Sequence, residues 1–174
     1  MIQEIEDPEL AQNRVKEYYE LKGYPKDWID KRIRGIAIRQ ELTEEWKNRD
    51  VDENREFAIL TNEISKATFG KTVQEYKKFK NLQKKSQNLR YHMTDWELIF
   101  TMLGEKATTD IAVSRNAKGF EENKKAANKG GQIAHNARKE LEEETGSSIL
   151  SKENYLKLKK KRKIEEKQGN NSKN

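Results

Sequence analysis

Cysteine is absent from the 174 residues. Disulfides, thiolate zinc sites and cysteine nucleophiles are thereby excluded, and the chain suits a reducing compartment, with the cytoplasm as the default expectation. Histidine occurs only twice, as His92 and His135. Two imidazoles are too few for a convergent metal or acid–base centre unless carboxylates complete it. No apolar run approaches the ~20 residues that a membrane-spanning helix needs, so no membrane contact is expected. The start MIQEIEDPEL is acidic and polar, unlike a secretory signal. Helix breakers are scarce too, with two prolines and nine glycines.

Charge and helix-forming side chains fill the space these absences leave. Charged residues make up 38% and hydrophobic residues 33%, a balance that gives each helix one narrow apolar stripe rather than a thick common core. The expected class is all-α: a multi-helix domain of short amphipathic helices over residues 1–156, extended or loosely layered. It leaves room for a subdivision near residue 70 or 104, and a basic, disordered tail follows over 157–174.

Local signals place the helices. Asp7-Pro8 reads as an N-cap and first helical position, and Gly23 as the stop of a helix over 8–21 with Ala11, Val15, Tyr18 and Tyr19 on one stripe. Pro25 opens a second helix carrying Ile29, Ile33, Ile36 and Ala37. Gly35 lies inside it at a cost of about 1 kcal/mol relative to alanine, and a break is expected near Gln40 before a short continuation with Trp46. Asn48 to Asn54 reads as a loop. Phe57, Leu60, Ile64 and Ala67 predict a helix that Gly70 terminates. Thr72 with Glu75, and Thr94 with Glu97, are capping boxes. Trp96, Ile99, Phe100 and Leu103, widened by Leu98 and Met102, form the strongest stripe, so Trp96 and Phe100 are expected in the core. Gly104, Gly119 and Gly130-Gly131 read as breaks between helical pieces. The clearest piece is 131–145, with Ala134, Ala137 and Leu141 on one face and Gly146 as its stop. Ser151 is placed to cap a last helix through Tyr155, Leu156 and Leu158.

Little of this points to catalysis. His92 with Asp95 one turn later is a possible general-base pair, and Glu121-Glu122 or Glu142 to Glu144 are possible cation ligands, but solvated surface is the simpler reading of each. No phosphate-loop pattern surrounds Gly130-Gly131. The expectation is a protein that is not an enzyme and uses no cofactor or metal.

The charge is segregated, and that is the informative feature. Residues 1–66 carry a net −4, whereas 71–92 hold seven bases against Glu75 alone, and 157–167 hold seven bases against Glu165 and Glu166. In the first basic segment Tyr76 and Phe79 sit among Lys71, Lys77, Lys78, Lys80, Lys84, Lys85 and Arg90. Ammonium groups contact phosphates and aromatic rings can stack on bases or pack inward. Lys77, Lys78, Lys80, Lys84, Lys85 and Arg90 are therefore the expected nucleic-acid contacts.

The stretches IQEIEDPELAQNRVKEYYELKGYPKDWIDKRIRGIAIRQELTEEWKNR, AILTNEISKATFGKTVQEYKKFK, LRYHMTDWELIFTMLGEKATTDIA and KGFEENKKAANKGGQIAHNARKELEEETG resemble, in order, the carboxy-terminal part of the DNA damage-inducible protein D family. Its phage and mobile-element relatives are labelled antirepressors with a BRO-type amino-terminal domain. The resemblance spans residues 2 to 156, and Met1 stands where the BRO-type domain would normally precede. It implies a DNA-associated regulator in the DNA-damage response, with DNA and a RecA-type recombinase or a repressor as partners, or a separately encoded BRO-type domain. It supplies no catalytic residues. The alternative is a protein-interaction module, from a phage or mobile element, that makes no direct DNA contact.

Overall fold

Capping chemistry sets most of the helix ends. The computed structural model describes residues 8–152 and 167–170, and among them the regular elements are all helical. They are α1 (Pro8–Leu21), α2 (Lys26–Asn48), α3 (Glu56–Phe69), α4 (Val73–Phe79), a 3-10 turn (Leu89–His92), α5 (Asp95–Ser114) and α6 (Gly119–Thr145). Asp7, the helix expected through Leu158 and most of the basic tail lie outside the described residues, while 167–170 take a helical turn. No helix of the described residues is long and apolar enough to cross a membrane.

At the end of α1 the Gly23 N–H reaches the Glu20 carbonyl at 2.8 Å and the Tyr24 N–H reaches that of Tyr19 at 3.1 Å. This is the Schellman pair, with Gly23 at the left-handed position (φ 90°). Gly70 and Gly146 close α3 and α6 in the same left-handed region. Thr72–Glu75 and Thr94–Glu97 form both halves of their capping boxes, opening α4 and α5.

Three expected breaks are not breaks. α2 passes Gln40 without interruption, α5 passes Gly104, and α6 passes Gly130-Gly131. Packing explains the glycines. A Cβ on Gly130 would lie 2.2 Å from Thr108 Oγ1 and 2.6 Å from its backbone nitrogen, and one on Gly131 would lie 2.5 Å from Ala67 Cβ. A Cβ on Gly104 would meet Thr68 Oγ1 at 2.9 Å. The glycines let α3, α5 and α6 approach backbone to backbone, and the contact outweighs the roughly 1 kcal/mol that each costs in a helix.

The apolar side chains collect into three clusters. The largest joins α1, α2, α3, α4 and α5 through Tyr19, Tyr24, Trp28, Phe69, Tyr76 and Phe100, with Tyr24 stacked on Trp28 at 4.0 Å. A second, around Leu42, Trp46, Phe57 and Leu60, fills the other end of α2, and a small third one is built of alanines between α5 and α6. The buried side of α2 is Trp28, Ile29, Arg32, Gly35, Ile38, Leu42 and Trp46, so the expected stripe is rotated and Ala37 is exposed. Phe100 is in the core as expected. Trp96 is not: it is 48% exposed and lies over Phe100 from outside. Val15 and Tyr18 of α1 also face outward.

Candidate functional site

The basic segment divides by where each cation ends up. Lys80 is withdrawn completely. Its ammonium donates to Glu97 Oε1 at 2.7 Å and to the Ser151 carbonyl at 2.9 Å, and both charged side chains are fully buried. Tyr76 donates its hydroxyl to Glu97 Oε2, and the Thr94 N–H donates to Oε1 at 3.1 Å. Burial, with Glu97 next, pushes the Tyr76 phenol well above its ordinary value, so it stays a donor. Lys80 is therefore a core cation and not a nucleic-acid contact, because a charge sealed against its own carboxylate has no path to a phosphate. Tyr76 is fully buried, and Phe79 packs on the same cluster with Lys71 Nζ 4.8 Å above its ring. The Tyr76 ring is therefore closed to bases, and the Phe79 ring is partly covered.

The other five expected contacts stay at or near the surface. Lys78, Lys84 and Lys85 are exposed. Lys77 donates to the Lys85 carbonyl at 3.2 Å, pinning the segment after α4 back on the helix. Lys77, Lys85 and Arg90 then line one side of a cavity of about 490 Å³.

α2 contributes Arg32, Ile36 and Arg39 to its lining, α3 contributes Thr61, Ile64, Ser65, Thr68 and Phe69, and Met93 and Leu89 add apolar surface. Five cationic side chains and one carboxylate, Glu105, line this space. Glu105 is only 2% exposed, so its charge belongs to the interior. Arg90 donates to Glu105 Oε1, and Arg39 Nη1 stands 3.8 Å from the same oxygen. Arg39 Nη2 donates to Thr61 Oγ1 at 2.7 Å. Arg32 is 7% exposed and spreads its guanidinium 5.3 Å above the Tyr91 ring. Burial, with the nearby Arg90 second, holds Arg32 below its ordinary value, and burial does the same to Arg39 against the pull of Glu105. Arg32 Nε, Thr68 Oγ1 and Glu105 Oε2 are buried without a hydrogen-bond partner. A concave space with apolar lining, several convergent cations and the unpartnered Arg32 Nε has the chemistry to take an anion carried on an organic body.

Arg32, Arg39 and Glu105 were not singled out by sequence because 1–66 reads as net acidic and α5 as apolar. The available signal was arginine seven residues apart on α2, on the same side as Ile29 and Ile36, a face where solvated cations do not belong. The other expected chemistry is engaged elsewhere. Asp95 takes Lys31 at 3.1 Å, His135 Nδ1 lies 3.2 Å from Arg138 Nη2, and Glu142 accepts from Arg138 at 2.6 Å. Among the described residues no three His, Cys, Asp or Glu side chains gather where a metal ion would need them. Compared with protein families, with curated proteins and with solved structures, the chain matches none.

Proposed function

We propose that this protein acts by binding, as a nucleic-acid-associated regulator whose contact surface is the exposed part of the 71–92 segment. One observation carries the reading: Lys77, Lys78, Lys84 and Lys85 sit together along α4 and the segment after it, beside a cavity that itself holds surplus positive charge. Phosphates drawn to such a face release counterions, which gives sequence-independent affinity and fast encounter. The resemblance to DNA damage-inducible protein D and to phage antirepressors points the same way, with a RecA-type recombinase or a repressor as the regulated partner. Replacing those four lysines by glutamine tests it, using labelled single- and double-stranded DNA at several salt concentrations. The expected slope of log K against log[salt] is about −0.7 to −0.9 per phosphate contact, and it should become shallower in the variant. Absence of binding by the wild type at low salt would leave the second reading.

That second reading is a protein-interaction module, favoured by α1. Val15, Tyr18 and Leu21 are 42%, 54% and 88% exposed along one side of that helix, more apolar surface than a solvated helix face needs.

A further inference from the structure

The cavity between α2, α3 and the segment after α4 goes beyond a surface for long nucleic acid. It is a discrete space. Its volume of about 490 Å³ falls within the roughly 300–1,000 Å³ of small-molecule sites. We infer that it is a binding site for a phosphomonoester, a terminal phosphate on a nucleoside-sized organic group.

Charge selects the phosphate. Arg39 and Arg90 already share the single carboxylate, Glu105 Oε1, which leaves Arg32, Lys77 and Lys85 without a balancing anion among the lining side chains. A carboxylate ligand would neutralise one of them. A phosphomonoester, carrying about −1.5 to −2 at neutral pH, neutralises nearly two and offers three acceptor oxygens. Geometry agrees with charge. Arg32 is more than nine-tenths buried, is held in place over Tyr91, and has its Nε unpartnered. A guanidinium fixed in this way loses little freedom when it pairs with two phosphate oxygens.

The organic part has its own surface. Ile36, Ile64, Val73 and Met93 give the cavity an apolar lining, and Gln40, Gln87 and Asn88 add amide groups. Inorganic phosphate would use none of this. The same terminal phosphate could be brought by a free mononucleotide or by the 5′ end of a strand, and both present it on a single nucleoside.

Isothermal titration of the full chain with AMP, adenosine, inorganic phosphate, and short 5′-phosphorylated and 5′-hydroxyl oligonucleotides separates these cases. The expected result is one saturable site for AMP, weaker binding of inorganic phosphate and none of adenosine. Arg32→Gln should weaken AMP by about tenfold or more, the worth of one charge-assisted contact. Should Arg32→Gln fail to fold, Lys77→Gln/Lys85→Gln at the cavity edge keeps the question open to test and should also weaken AMP. The exposed pair Lys78→Gln/Lys84→Gln should leave AMP affinity within about twofold of wild type, since exposed charges act weakly at a distance. Preference for the 5′-phosphorylated over the 5′-hydroxyl oligonucleotide, with AMP weak, would assign the phosphate to a strand end and support the site. AMP binding no tighter than adenosine, with no preference for the 5′-phosphorylated oligonucleotide, overturns the proposal, as does wild-type affinity in both cavity variants. DNA binding that ignores the end group and persists without AMP binding would leave the nucleic-acid reading standing and remove this one. AMP binding without DNA binding would do the reverse.

Discussion

Among the described residues, the buried ionic clusters around Glu97 and Glu105 are built on opposite plans. Around Glu97 the balance is one to one: Lys80 faces it, Tyr76 and the Thr94 N–H complete its hydrogen bonds, and neither charged side chain is exposed. Around Glu105 two guanidiniums, those of Arg39 and Arg90, share one carboxylate, Arg32 adds an unpartnered Nε in the same lining, and the group opens on a cavity. A balanced, sealed pair holds helices in register. An unbalanced, open one costs stability that only a bound anion returns, which is the pattern expected where folding and binding make different demands.

The strongest test of that contrast is to unbalance the sealed pair. Glu97→Gln leaves Lys80 buried without its counter-ion and should cost about 3–5 kcal/mol in urea unfolding. Adding Lys80→Met should restore most of the loss. If the single and the double variant are equally unstable, the pair is not what matters there. A packing control comes next. Gly130→Ala forces a Cβ against Thr108, and overpacking of about 1–3 kcal/mol should exceed the helix-propensity gain of about 1 kcal/mol. Gly35→Ala, whose Cβ would meet only Met102 at 3.6 Å, should be neutral or stabilising by up to about 1 kcal/mol. Thermal melts of both variants read the difference, and equal loss in the two would show that the crossing is not tight.

The open cluster should respond more mildly. Arg32→Met removes a desolvated, surplus cation and one contact with Tyr91, so apo stability should stay within about 1 kcal/mol of wild type. A loss comparable to that of Glu97→Gln would show Arg32 to be structural after all. The smallest effect is confined to alkaline pH. The Tyr76 phenol is raised, and burial with Tyr91 next pushes Tyr19 up to about 12. Both raised values lie above the unfolded value of about 10, so the unfolded chain loses these protons first. Their contribution is fully present below pH ~10 and is lost as pH rises further, with no effect near neutrality. Tyr76→Phe should flatten the decline in stability above pH ~10, and absorbance titration should show Tyr19 and Tyr76 still protonated at the pH of about 10 where a free phenol is half ionised.

How far the sequence was legible depended on the range of the force involved. Helix stops at Gly23, Gly70 and Gly146 and both capping boxes were readable, because each is decided within four or five residues. Gly104 and Gly130-Gly131 were misread as breaks: a local window registers what glycine costs a helix, not the Thr68, Thr108 or Ala67 side chain lying across from it. Trp96 and Phe100 share a stripe four residues apart, yet only the neighbouring helices decide which is covered. The site was half legible. Clustering of lysines is visible in the sequence, but the burial of Lys80 is set by Glu97, seventeen residues away on another helix. Arg32 and Arg39 needed the fold, since the segment that carries them looks acidic on average.

The seam of glycines also bears on ancestry. Where backbones touch, only a hydrogen atom fits, so a distant relative with this crossing must keep glycine at the positions of Gly104, Gly130 and Gly131 and small partners opposite them. Surface lysines face no such restriction and are free to drift. Kinship is therefore better sought in the spacing of these small residues along α3, α5 and α6 than in the basic segment that first catches the eye.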